Sequence, residues 1–244
     1  MKRRYNFKNQ QYNKNLESIP HSFAVDHDDE KGESTLTIYG DIGESYWWES
    51  TSATDVDNAL INAGDNDLVV HLNSPGGSAF DGIAIYNRLK NHNGKVTIHV
   101  DGWACSAASV IAMAGDEVIM GAGAMLMIHE ASNIVWGSKN EFRKQADLLE
   151  KLEDGIIDIY MMKSNIEREE IKKMVDNETW FSANDALEIG FATSTATSSS
   201  VEDNEEVSQL KAQMLTMQNE LEQLKNTEPE KPTPVKQNRA VRLF

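Results

Sequence analysis

The strongest constraint on the fold is a recurring order along the chain. A short apolar, β-branched run stops at glycine or asparagine, and a helical or small-residue segment follows. Asp67-Leu68-Val69-Val70-His71-Leu72 stops at Asn73-Ser74-Pro75-Gly76-Gly77, and the next segment places Ile83, Tyr86 and Leu89 on one helical face before Asn93-Gly94. Lys95-Val96-Thr97-Ile98-His99-Val100 follows, then Gly102 and a small-residue stretch from Ala104 to Ala114. Thr35-Leu36-Thr37-Ile38-Tyr39, Glu117-Val118-Ile119-Met120 and Ala124-Met125-Leu126-Met127-Ile128 are further short runs. A helical stretch over 138–163 carries Phe142, Ala146, Leu149, Leu152, Ile156 and Ile159. Short β-branched runs alternating with helical patterns predict an α/β domain with a mostly parallel sheet.

The rest of the chain divides by composition. Residues 1–34 are polar and read as a loose arm, 35–192 as the globular domain, and 193–206 as a Ser/Thr-rich, then acidic linker. Over 207–226, Val207, Leu210, Met214, Met217, Leu221 and Leu224 form a heptad seam. So short a helix cannot bury its own stripe, which predicts pairing with another copy or another protein; docking back onto the domain is the alternative. Residues 227–244 hold Pro229, Pro232 and Pro234 and read as an extended, basic tail.

At 244 residues and 40% hydrophobic composition, the chain can bury a sizeable core. A formal charge of −16 argues against a general nucleic-acid binder, whose phosphate contacts need a basic surface. Apolar stretches are broken well short of a membrane span, and the basic start lacks the apolar run of a secretory signal. The single cysteine excludes an intramolecular disulfide or a Cys-based zinc cage and fits a reducing compartment. These features predict a soluble, cytoplasmic protein without nucleic-acid or membrane partners.

Three strand ends carry side chains that chemistry can use. The Gly76-Gly77 turn lets a ligand approach main-chain amides closely, although a Gly-Gly turn also simply reverses a chain. In Gly102-Trp103-Ala104-Cys105-Ser106-Ala107-Ala108-Ser109, Ser106 falls at a strand-to-helix junction, as a nucleophile or as a helix N-cap. Cys105 reads as a small buried hydrophobe or a thiol nucleophile, and Ser109 as part of small-residue packing. His129 ends the apolar run Met125 to Ile128, where it suits a general base or a structural role. No histidine spacing matches a metal-ligand motif, so no metal site is predicted.

Taken together and in order, Asn73-Ser74-Pro75-Gly76-Gly77, Gly102-Trp103-Ala104-Cys105-Ser106, Met127-Ile128-His129 and Glu178-Thr179-Trp180-Phe181-Ser182-Ala183…Ala186-Leu187-Glu188-Ile189-Gly190 resemble the ClpP-like serine peptidases over 35–192. The resemblance implies a ClpP/crotonase-like fold of repeated ββα units with a long protruding helix, beside the C-terminal coiled-coil-type helix. It implies Ser106 as nucleophile, His129 as base and the Gly77 and Ala107 amides as oxyanion-hole donors. Substrate backbone would pair along Gly76 to Ser78, and no cofactor is required. The family's aspartate falls on Glu178, with Asp176 as the rival.

The resemblance also implies a ring homo-oligomer assembled through the 138–163 helix. The wording of 177–181 and the terminal extensions look most like the ClpP-related head maturation (prohead) proteases of tailed phages, which would make coat and scaffold proteins the substrates, inside host cytoplasm or immature capsid. A cellular-type Clp proteolytic subunit working with an ATPase is the alternative. A non-catalytic ClpP-like ring and a crotonase-type acyl-CoA enzyme are further ones, against which the Ser106 and His129 motifs count. Lys139, Lys144 and Lys151 read as the solvent face of the long helix rather than as a Ser–Lys partner.

Overall fold

The computed structural model describes residues 7–28 and 30–196. The chain divides into two units, 1–199 and 200–244. The heptad helix over 207–226, the tail over 227–244 and most of the linker over 193–206 lie outside the described residues.

The mostly parallel sheet expected from the alternating pattern is present. Its strands are β1 (Ser22–Asp28), β2 (Glu33–Tyr39), β3 (Asp67–Ser74), β4 (Val96–Cys105), β5 (Glu117–Met120), β6 (Met125–Ile128), β7 (Thr179–Ser182) and β8 (Ser194–Thr195). They run in the order β1-β2-β3-β4-β5-β8, with β6 pairing to β4 and β7 to β6. Only β1–β2 and β6–β7 are antiparallel. The helices are α1 (Asn13–Glu17), α2 (Ala53–Ala63), α3 (Ala79–Lys90), α4 (Ala107–Ala112), α5 (Lys139–Met161), α6 (Arg168–Asn177) and α7 (Ala183–Glu188).

Alternation along the central strands sets the core. Leu36 and Ile38, Leu68, Val70 and Leu72, and Val96, Ile98 and Val100 are buried on one face. Val56 and Leu60 of α2, Ile85 and Leu89 of α3 and Ala108, Val110, Ile111 and Ala112 of α4 pack with them in one cluster. The run Leu68 to Leu72 is therefore buried on one side only. On the other side His71 Nδ1 lies 2.8 Å from Asp101 Oδ2, Tyr39 donates to that oxygen at 2.7 Å, and His71 stacks on His99. Alternation follows because the strand period is two and only one face meets helices.

Three expectations are corrected. The arm over 1–34 is not loose where it is described: β1 and the first two residues of β2 lie within it, and Phe7 and Leu16 are buried. The stretch read as linker from 193 begins with β8, which pairs with β5, and Thr193 Oγ1 donates to the Val118 carbonyl. Gly102 does not end its strand: β4 continues to Cys105 and changes partner, pairing with β5 through Val100 and with β6 from Trp103. That fork carries the chain to Ser106. Along α5 only Ile156, Ile157 and Tyr160 are buried, while Phe142 and Leu148 in its first half are exposed.

Candidate active site

Among the described residues two non-glycine positions have positive φ, Ser106 at 55° and Glu178 at 56°. An L-residue there costs about 1–2 kcal/mol, so surrounding structure must hold it. At Ser106 the holding groups are visible. Its N–H donates to the Met127 carbonyl at 2.9 Å, and its own carbonyl accepts from Ser109 Oγ at 2.6 Å. Ser109 Oγ in turn meets the buried Tyr160 hydroxyl at 2.8 Å, a polar role that small-residue packing did not suggest.

The choice between cap and nucleophile is decided by where the hydroxyl points. Ser106 makes no side-chain cap bond to α4. Its Oγ lies 2.8 Å from Nε2 of His129, carried there by the end of β6. Burial holds the His129 imidazole below its usual range; the Glu178 charge opposes this and the Lys8 ammonium reinforces it. A neutral imidazole at pH 7 accepts the serine proton, as a general base must. Cys105 is fully buried, and burial together with the Glu178 charge pushes its thiol far up, which leaves a small hydrophobe and no nucleophile.

The glycine turn lies against this junction. A Cβ on Gly76 would sit 2.5 Å from the Cys105 carbonyl oxygen, 2.7 Å from Ser106 Cβ and 3.0 Å from the Ala107 nitrogen. Only glycine allows that approach, and Gly76 has φ 92°. The turn thus lies against Ser106 and the nitrogen of Ala107, one of the two expected amide donors, and Gly77, the other, is its next residue. At the expected substrate edge the Gly76 carbonyl and the Ser78 N–H are already bonded to Ile42 at 3.0 and 2.9 Å. Ser78 also caps α3 through its hydroxyl, accepting from the Asp81 N–H.

The two acids separate clearly. Asp176 sits at the end of α6, half-exposed, with its carboxylate 3.4 Å from Lys172. Glu178, two residues on at the left-handed end of that helix, is 9% exposed, and its charge acts on His129. Its carboxylate accepts from the main-chain N–H of Lys8 at 2.5 Å and of Asn9 at 2.8 Å, and from the Trp180 indole at 3.1 Å. No hydrogen bond joins Glu178 to His129. The sequence reasoning missed this clamp, although Tyr12, Leu16 and Ile19 at helical spacing were a signal that the arm packs somewhere.

Among the described residues one group could offer a cation three carboxylate oxygens: Glu130, Glu153 and Asp176. Lys172 already lies on Glu153 and Asp176, and Lys8 is 3.9 Å from Glu130. Lys139, Lys144 and Lys151 are exposed, as expected of a solvent face. No described helix is long and apolar enough to cross a membrane.

A serine held at positive φ between strand and helix, with an imidazole on its hydroxyl and the charge of a buried acid acting on that imidazole, is an arrangement that suits serine hydrolase chemistry. The comparisons narrow the class. The Clp protease family model matches residues 49–199. The ATP-dependent Clp protease proteolytic subunit 1 of Chlamydia muridarum is 34% identical over 127 residues, 50% of this chain and 66% of that one. Subunit 3 of Rhodococcus jostii is 28% identical over 160 residues, 64% and 77% of the two chains. A ClpP1 mutant from Listeria monocytogenes shares the fold with a TM-score of 0.58 at 22% identity, covering 71% of this chain and 93% of that one. The chain belongs to the Clp protease family, hydrolases of the serine-peptidase type, and spans about two thirds of the Chlamydia subunit's length, the matched share being 66%.

Proposed function

We propose that this chain is a serine endopeptidase in which Ser106 attacks a peptide carbonyl and His129 serves as the base. The observation that carries this is the 2.8 Å contact between Ser106 Oγ and His129 Nε2 at a strained strand-to-helix junction. As Oγ bonds to the carbonyl carbon, its proton passes to Nε2, and the carbonyl electrons move to an oxyanion facing the Gly77 and Ala107 amides. Losing one such donor costs roughly 3–4 kcal/mol of transition-state stabilisation. Nε2–H then protonates the departing amine and leaves an acyl-serine. Water, deprotonated by Nε2, releases the acid and restores Ser106. Glu178 favours the transient imidazolium through its charge; its position, not that of Asp176, supports this role. No cofactor enters. Substrate main chain passes along the Gly76–Ser78 turn.

The working form is a ring of copies. Supporting it are the exposed start of α5, with Phe142, and the preceding loop, where Ile134 and Trp136 are both 98% exposed. The names of the relatives support protein chains as substrates and service as a proteolytic subunit beside an ATPase. A second setting, trimming of phage coat and scaffold proteins during head maturation, is supported by the wording of 177–181 and by the extensions over 1–34 and 193–244.

Fluorophosphonate labelling of the assembled protein tests the chemistry. Capture at Ser106 that is lost in Ser106→Ala and greatly slowed in His129→Ala is expected, and an unlabelled wild type would overturn the assignment. Mass spectrometry of a coat protein co-expressed with the chain separates the settings, since discrete terminal trimming marks maturation and wholesale breakdown marks a cellular-type subunit.

A further inference from the structure

The stretch ahead of the first strand is built onto the catalytic acid. Phe7 and Leu16 are 6% and 1% exposed, and with Cys105 and Met127 they form a second apolar cluster apart from the main core. Tyr12, Ile19, Trp103 and Trp180 close over it, with the Tyr12 ring 5.3 Å from Trp103 and 4.8 Å from Trp180. From this anchor the chain turns two consecutive main-chain N–H groups onto Glu178, one to each carboxylate oxygen, at 2.5 and 2.8 Å. Phe7 stands edge-on to the His129 ring, centroids 5.2 Å apart and planes at 84°.

The residue type explains why such a clamp is needed. Where the family pattern carries aspartate, this chain carries glutamate, whose extra methylene adds a torsion and lets the carboxylate swing. Main-chain donors on a packed segment fix it without ordering further side chains. One donor to each oxygen fixes the plane of the group as well as its position. The Ser106–His129 contact is intact at 2.8 Å with the arm docked, so the docked arrangement is compatible with the working dyad and does not break it.

We infer that residues 7–19 are a positioning element of the active site, in which the Lys8 and Asn9 amides hold the Glu178 carboxylate beside His129. The inference rests on the peptidase reading of Ser106 and His129. The charged groups acting on His129 are Glu178, which favours its imidazolium, and Lys8, which opposes it.

Proline substitution removes a main-chain N–H, whereas alanine at the same position keeps it. The comparison is therefore Asn9→Pro against Asn9→Ala, and Lys8→Pro against Lys8→Ala, in the full-length assembled protein. Each pair cancels the loss of its side chain, including the Lys8 ammonium. A carboxylate displaced by ~1 Å lowers turnover by up to about 100-fold, so kcat of each proline variant should fall about 10- to 100-fold below its alanine counterpart, with KM changed less than about two-fold. The acid limb of kcat/KM should also move to lower pH in the proline variants, because His129 loses the charge that favours its protonated form; loss of packing alone would uncover His129 and move the limb to higher pH. Leu16→Asp, which expels the anchor, is the second variant and should lose kcat to a similar extent.

Proline variants as fast as their alanine counterparts, with an unmoved acid limb, would overturn the inference. A rise in turnover for Leu16→Asp would make the arm a block on the site and overturn it equally. A wild type that neither labels nor cleaves would instead bring down the peptidase reading itself.

Discussion

Gly76→Ala tests whether the glycine turn must touch the nucleophile junction. The new Cβ would lie 2.5 Å from the Cys105 carbonyl oxygen and 2.7 Å from Ser106 Cβ, both on the segment that presents the hydroxyl. Restoring ordinary contact needs a movement of about 1 Å, and neither neighbour is the free end of a flexible side chain. The residue must also keep φ near +92°, which costs an L-residue about 1–2 kcal/mol. Strain and overpacking together come to about 3 kcal/mol, or a fall in melting temperature of roughly 6–12 °C for a domain of this size. A 1 Å displacement between the oxyanion donors and Ser106 lowers kcat by about 100-fold. Gly32→Ala is the control: its φ is +66° and an added Cβ meets nothing within 4 Å, so it bears strain alone and should leave turnover unchanged. Peptide turnover and thermal melts of both variants decide the matter. A Gly76→Ala protein that turns over as fast as Gly32→Ala would refute the close-approach argument.

Burial holds His129 below its usual value near 6.5, so the acid limb of kcat/KM should fall below pH 6.5; a midpoint above pH 7 would contradict the geometry. Glu178→Gln removes the charge that raises His129, so turnover should drop by about 100- to 10,000-fold with the acid limb moved further down, as read in a pH–rate series. Asp176→Asn, which alters a half-exposed carboxylate lying with Lys172, Glu130 and Glu153, should change kcat by less than about three-fold in the same assay. Gly155 lies exposed within α5 with open space where a Cβ would go, so Gly155→Ala should raise stability by about 0.5–1 kcal/mol, visible as a higher melting temperature. Cys105 should resist maleimide in the native protein and react once denatured; rapid native labelling would contradict its burial.

Much of the core was legible because its signals are local. The run 67–72 and the alternation of 35–39 fell on β3 and β2, and the apolar positions of 138–163 fell on α5. Ser106, His129 and the Gly76-Gly77 turn were found the same way, since each lies where a strand stops. Less visible was Gly102, read as a turn although β4 runs through it. A glycine ends a strand or lets a neighbouring group approach closely with the same single letter, and here the Asn73 side-chain Oδ1 would lie 2.9 Å from an added Cβ. The arm over 7–19 looked loose because its apolar residues are few and its cover is supplied by Trp103 and Trp180, far along the chain.

The sequence by itself determined the strand and helix pattern, the glycine turn and the two residues of the proposed dyad, because periodicity and strand ends are written within a few neighbouring residues. Tertiary structure alone decided that Ser106 faces an imidazole instead of capping a helix. It also decided that Glu178 rather than Asp176 is the buried acid whose charge acts on that imidazole, gripped by the amides of Lys8 and Asn9. Those contacts join segments as much as 170 residues apart, and two residues at the end of α6 separate a half-exposed carboxylate from a buried one. No local pattern encodes such a meeting; the packing of the arm and the sheet edge against each other creates it.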